Sequence, residues 1–118
     1  LTEALVQGKL STIRSALEKD HALLCLTLLK MGKGRWGDVK RFVETNNGVI
    51  SDGTFRSRMA EFRSLGLAEP KRIDPLKKYY VITPLGEKVA ERVVDFLQGL
   101  DSAIENGQQS HPSLGITT

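Results

Sequence analysis

The sequence predicts a mainly α-helical fold that carries one small β-ribbon between long N- and C-terminal helices. Three observations lead there. Apolar residues recur at helical spacing near both ends, as Val6, Leu10, Ile13 and Leu17, and as Val89, Val93, Phe96, Leu100 and Ala103. Glycines and capping residues cut the middle of the chain into short helices. One stretch, Leu67 to Ile82, reads as two strands around an Asp74-Pro75 turn.

Taken in order, a first helix is predicted over Thr2–Leu17, weakened by Gly8. Asp20 is placed to cap a second helix through about Met31, because its carboxylate accepts from free first-turn amides. Leu23, Leu24, Leu26, Leu28 and Leu29 cover most of that helix, which makes it the buried central one. Gly32-Lys-Gly-Arg-Trp-Gly37 ends it, and Arg35 and Trp36 are read as a very short strand. Gly37 or Asp38 opens a third helix through about Thr45, with Val39, Phe42 and Val43 on one face. Gly48 or one of the preceding asparagines ends it in the left-handed conformation.

Ser51 or Asp52 caps the next helix, which runs to Leu65 with Gly66 as its stop. Phe55, Met59 and Phe62 share its buried face. Strands follow at Leu67–Ile73 and Lys77–Ile82; Pro70 cannot donate to a ladder and marks an edge or irregular position. Thr83 caps the last helix, and Pro84 takes its first position, where a missing N–H costs nothing. From Asn106 to Thr118 the chain is mostly Gly, Ser, Gln, Pro and Thr without periodicity, and is read as a flexible tail. The domain assignment is therefore 1–105 with a core at 20–97, followed by the tail at 106–118.

At 118 residues one domain is the expectation. The lone Cys25, inside an apolar run, excludes an intrachain disulfide and a cysteine-rich zinc site. A buried small hydrophobe is its expected role, which fits an intracellular protein. No apolar run approaches a membrane span, and Leu1-Thr-Glu-Ala lacks the regions of a signal peptide, so a cytoplasmic location is expected. Charge is unevenly placed. Residues 30–78 hold twelve Lys/Arg against six Asp/Glu, and the remainder five against eight. A basic middle between acidic ends suits a polyanionic partner.

The helix beginning at Ser51 carries Arg56, Arg58 and Arg63, and the ribbon carries Lys71, Arg72, Lys77 and Lys78. A positive helix beside a positive ribbon can set one in a DNA groove and the other on the flanking backbone. Thr54 and Ser57 lie away from the apolar face, with Arg56 and Arg58 on its flanks. Arginine pairs with guanine edges or holds phosphate, and Thr and Ser serve bases or phosphates. Glu61 accepts from cytosine or pairs with a helical arginine. Lys71, Arg72, Lys77 and Lys78 are expected to meet phosphate or the minor groove, and Lys40 and Arg41 to contact backbone.

The order helix, short strand, helix, helix, strand, wing, strand is that of a winged helix-turn-helix. Thr54-Phe-Arg-Ser-Arg-Met-Ala-Glu-Phe-Arg-Ser-Leu-Gly-Leu67 resembles the recognition helix and following strand of MarR- and PadR-type regulators. Tyr80-Val-Ile-Thr-Pro-Leu-Gly86 is similar to the segment that closes their wing and opens the next helix. The resemblance covers roughly Asp20 to Leu97. The wing is shorter than that of MarR proteins, and the long terminal helices are more like PadR or small archaeal winged-helix proteins. It implies a sequence-specific binder of double-stranded DNA, acting in transcription regulation or as a centromere-type binder in plasmid partition. A protein-docking module of a larger assembly is the alternative.

Val6, Leu10, Ile13 and Leu17, with Val89, Val93, Phe96 and Leu100, are expected to form a homodimer interface. Packing of the two seams on each other within one chain is the competing arrangement. Trp36 is read as packing, Tyr80 as inward and Tyr79 as exposed. His21 and His111 are too far apart in the chain to suggest a metal site. Gly32-x-Gly34-x-x-Gly37 matches a dinucleotide fingerprint in spacing but follows a helix, not a strand. No nucleophile–base arrangement or carboxylate cluster is present in the sequence pattern, so neither enzymatic activity nor a cofactor is expected.

Overall fold

The computed structural model describes residues 8–75 and 77–116. Among them are five helices and a two-stranded antiparallel hairpin: α1 (Gly8–Leu17), α2 (Ala22–Lys30), α3 (Trp36–Thr45), α4 (Asp52–Ser64), β1 (Ala68–Asp74), β2 (Lys77–Ile82) and α5 (Pro84–Ile116). The mainly helical fold with one small ribbon is as predicted. The predicted start of α1 at Thr2, and Val6 with it, lie outside the described residues.

α2 is the central helix. Ala22, Cys25, Leu26, Leu28 and Leu29 are all buried. They pack with Val39 and Val43 of α3, Phe55, Met59 and Phe62 of α4, and Ala90 and Val93 of α5. Each fully buried large side chain removes apolar surface worth about 1.5–3 kcal/mol. Buried Leu67 and Tyr80 join the hairpin to the same core.

The three middle helices stop by one device. Gly32, Asn47 and Gly66 take positive φ angles of 77°, 62° and 77° just past α2, α3 and α4. The next residue then reaches back: the amides of Lys33, Gly48 and Leu67 donate to the carbonyls of Leu28, Val43 and Phe62, each at 2.8 Å. These bonds satisfy carbonyls that the helix end leaves open. They also fix the angle at which each following segment leaves.

β1 and β2 pair with Ala68 opposite Ile82 and Pro70 opposite Tyr80, with a register shift between Arg72 and Asp74. The hairpin is buttoned to the end of α4 by Thr83. Its amide donates to the Leu67 carbonyl at 3.0 Å, and its hydroxyl donates to the Gly66 carbonyl at 2.6 Å and accepts from the Gly86 amide at 3.0 Å. Gly86 is required here because a Cβ would fall on the Leu67 carbonyl oxygen.

Three expectations change. Asp20 does not cap α2: the position before the helix is His21, in the left-handed conformation at φ 62°, with no side-chain cap bond. That turn moves the helix start two residues past Asp20. Arg35 and Trp36 form no strand. Arg35 is extended, but Trp36 already begins α3, and the strand-like contact shrinks to one bond from the Tyr80 amide to the Gly34 carbonyl at 3.0 Å. Finally, helical backbone continues through 106–116, where a tail was expected. Extending a helix that has already formed avoids the cost of nucleation. At 33 residues α5 is about 50 Å long and dominates the longest dimension of 64 Å.

Candidate nucleic-acid interface

α4 is set at its N-terminus by Ser51, whose Oγ accepts from the Thr54 amide at 3.0 Å and donates to Thr54 Oγ1 at 2.9 Å. Once Phe55, Met59 and Phe62 are buried, helical periodicity dictates what remains outside. Gly53, Arg56, Ser57, Ala60, Arg63 and Ser64 are the exposed residues of this helix. Only the two arginines among them are long, and they stand two turns apart on one flank.

The helix lies between two grooves. The first, of about 630 Å³, separates its N-terminal half from the α1–α2 turn and is lined by Lys19, Asp20, Ser51, Gly53, Thr54, Ser57 and Arg58. Three of the predicted site residues, Thr54, Ser57 and Arg58, come together here. Arg58 is turned inward, with its side chain only 13% exposed. Its Nη1 donates to the Asp20 carbonyl at 3.4 Å, and its Nε lies 3.8 Å from Glu61 Oε1, too far for a hydrogen bond. Glu61 in turn holds Lys19 at 2.7 Å. Arg58 thus ties α4 to the α1–α2 turn from within. Glu61 is the helical partner of Arg58 rather than a free acceptor.

The second groove, of about 670 Å³, runs between α4 and β2 and is lined by Trp36, Phe55, Arg56, Ala60, Arg63, Ser64, Lys78 and Tyr80. Here Arg56 and Lys78 meet. Arg56 also pairs with Asp52 one turn earlier, and that pairing raises its pKa further above its ordinary value. The hairpin presents Lys71, Arg72, Lys77 and Lys78 as exposed side chains. Arg35 stacks over Tyr79 with 5.1 Å to the ring centroid, and Lys78 Nζ lies 5.3 Å from that of Tyr80. Tyr80 is buried and Tyr79 half-buried, close to the expected alternation. Lys40 and Arg41 are exposed on α3, Arg41 beside a smaller depression of about 250 Å³ with Lys33 and Asp38.

The sequence reading placed Arg63 on this helix but gave it no site role. Its signal was present: Arg63 follows Arg56 by seven residues, hence on the same face. Arg58 follows Arg56 by two, which puts it on the opposite flank, against the core.

The apolar seams meet away from the hairpin. Leu10, Ile13 and Leu17 of α1, with Leu23, face Val89, Val93 and Phe96 of α5 across a groove of about 1030 Å³. They do not close on each other: Leu10 is 45% and Phe96 61% exposed. The α5 stripe continues past the body through Leu97, Leu100 and Ile104, all exposed. Ile104 adds to the predicted seam, whose face Ala103 shares by helical spacing. Lys30 of α2 holds this helix against the body, donating to Glu87 at 3.0 Å with Glu91 at 4.0 Å. The bond from Lys30 to Glu87 raises the lysine pKa from its ordinary value.

Among the described residues no three His, Cys, Asp or Glu side chains gather as metal ligands, and no helix is long and apolar enough to cross a membrane. The three glycines of the fingerprint-like run do unrelated things: Gly32 ends α2 at positive φ, Gly34 lies against the Tyr80 backbone, and Gly37 has open space where a Cβ would be. No family model, curated protein or solved structure matches the chain.

Proposed function

We propose that the chain is a winged helix-turn-helix protein that binds double-stranded DNA sequence-specifically as a homodimer, in transcription regulation or in DNA segregation. One observation carries the reading: the exposed face of α4 is low and basic, and it stands beside a hairpin with four exposed cations. Small residues at 53, 57, 60 and 64 let a helix backbone approach a major groove closely. Arg56, with Thr54 and Ser57 near the N-terminal end, is then the reader of base edges. Lys71, Arg72, Lys77 and Lys78 take phosphates, as do Lys40 and Arg41. Arg58 positions the helix instead of reading the duplex.

The homodimer forms through α1 and α5. Leu10, Ile13, Leu17, Val89, Phe96 and Leu100 supply its contacts, whereas Val93 is buried in the protomer core, and pairing covers the exposed apolar stripe through Leu10, Phe96 and Leu100. The same bare stripe favours a second reading, a docking module for another protein.

Selection of bound duplexes from a random pool tests the first reading. A palindromic consensus is expected, with half-sites spaced by the two-fold axis. Affinity for it must fall with salt by a slope of about 0.9 per phosphate contacted. A pool that never enriches, with flat salt dependence, leaves the docking module.

A further inference from the structure

We infer that the groove between α4 and β2 takes one sugar–phosphate strand of the bound duplex, with Trp36 as its floor and Arg63 and Lys78 as its opposing walls. This rests on the DNA reading above and adds residues to it. The groove is open, and its floor is aromatic: Trp36 and Phe55 have ring centroids 5.5 Å apart, and Phe55 and Tyr80 6.2 Å apart in an edge-on arrangement. Phe55 and Tyr80 are buried, so the half-buried Trp36 is the ring that a ligand meets.

The rim is cationic on both sides, with Arg56 and Arg63 from α4 and Lys78 from β2, and none of its described lining residues is acidic. Among the described residues the Arg63 side chain has no hydrogen-bond or ion-pair partner. Ala60, between the two arginines, keeps the wall low. An apolar floor under two cationic walls matches a chain in which apolar deoxyribose faces alternate with phosphates. Arg56 and Arg63 stand about 10 Å apart along the helix, so Arg63 can hold a phosphate of the strand while Arg56 reads base edges.

Trp36 is the only tryptophan, so its emission reports this groove alone. The experiment titrates fluorescein-labelled duplex into the whole chain, reading anisotropy and Trp36 emission together. Both should change with one midpoint, and bound duplex should shield Trp36 from iodide. Ala60→Glu puts a negative charge in mid-groove at an exposed position and should weaken binding at least tenfold, whereas Ala60→Gln should do so far less. Arg63→Ala should lower the salt slope by about 0.9. An anisotropy change that leaves Trp36 emission and iodide access untouched overturns the groove assignment while the DNA reading stands. Anisotropy unchanged with every duplex overturns both. Tighter Trp36 saturation by a single-stranded oligonucleotide than by duplex overturns the assignment to a duplex strand.

Discussion

Gly34→Ala should be among the most damaging single-methyl additions to this fold. A Cβ at position 34 would fall on the Tyr80 carbonyl oxygen, with the Tyr80 carbonyl carbon at 2.8 Å and Leu29 Cδ2 at 3.0 Å. Two of these three atoms are backbone and cannot swing aside. Relief requires the α2–α3 connection to move off β2, which breaks the 3.0 Å bond from the Tyr80 amide to the Gly34 carbonyl. Overpacking costs about 1–3 kcal/mol, and the lost hydrogen bond about 1 kcal/mol more. A total of about 2–4 kcal/mol is a large part of the 5–15 kcal/mol typical of a domain. At about 4 °C per kcal/mol for this size, Tm should fall by roughly 8–16 °C. Gly37→Ala is the internal control. Nothing lies within 4 Å of its Cβ position, and it sits inside α3, so alanine should be neutral or stabilising by up to about 1 kcal/mol. Thermal unfolding followed by circular dichroism measures both. A Gly34→Ala variant within 2 °C of wild type, on the scale of about 4 °C per kcal/mol, would refute the close approach of this connection to β2.

Arg58→Ala should lower stability in urea by about 1–2 kcal/mol, since it removes the tie to Asp20 and Glu61. Arg63→Ala should stay within about 0.5 kcal/mol; equal losses would mean that the two arginines do not differ in burial. Burial pushes the Cys25 thiol up to about 11, although Arg58 nearby pulls it down. Between the ordinary thiol value of 9.0 and about 11, the unfolded chain releases this proton while the folded chain keeps it. Stability therefore falls as pH rises through that window, by roughly 2 kcal/mol. Urea melts of wild type and Cys25→Ala across pH 8–11 should converge by that amount, and parallel curves would show a thiol in contact with solvent. Phe96→Asp/Leu100→Asp should convert a dimer to a monomer in sedimentation equilibrium at micromolar concentration; a variant that stays dimeric places the interface elsewhere.

Local chemistry made much of this fold legible. Ser51, Gly66 and Thr83 stand where the sequence put a cap, a stop and a cap, because each satisfies helix-end groups without help from distant residues. The strand Lys77–Ile82 has its predicted bounds. Where distant contacts decide, the reading failed. Asp20 has the right chemistry for a cap, but the left-handed His21 sets the helix start. Trp36 has strand propensity, yet it begins α3 and packs on Phe55, and of this segment the Gly34 carbonyl is what hydrogen-bonds to β2. Of the candidate interface, the exposed hairpin cations were visible from their type. The unequal fates of Arg56, Arg58 and Arg63 were not, because two flanks of one helix look alike until the α1–α2 turn and the hairpin are placed beside them.

The two surfaces of the molecule impose different dependences, and that difference separates the readings of its function. If α4 and the hairpin bind duplex and α5 joins two copies, the second half-site contact becomes intramolecular. Loss of the dimer should then weaken binding to a full palindrome by about 10²–10⁴-fold. Affinity for an isolated half-site should not change, because Phe96 and Leu100 line neither groove beside α4. A docking module has no reason for that asymmetry, since its partner is held by the apolar stripe itself. Phe96→Asp/Leu100→Asp would abolish partner binding outright and leave any weak, salt-sensitive attraction to random DNA as it was. Comparing one variant on a full site and a half-site thus separates two-fold DNA recognition from a basic surface that merely accompanies a protein contact.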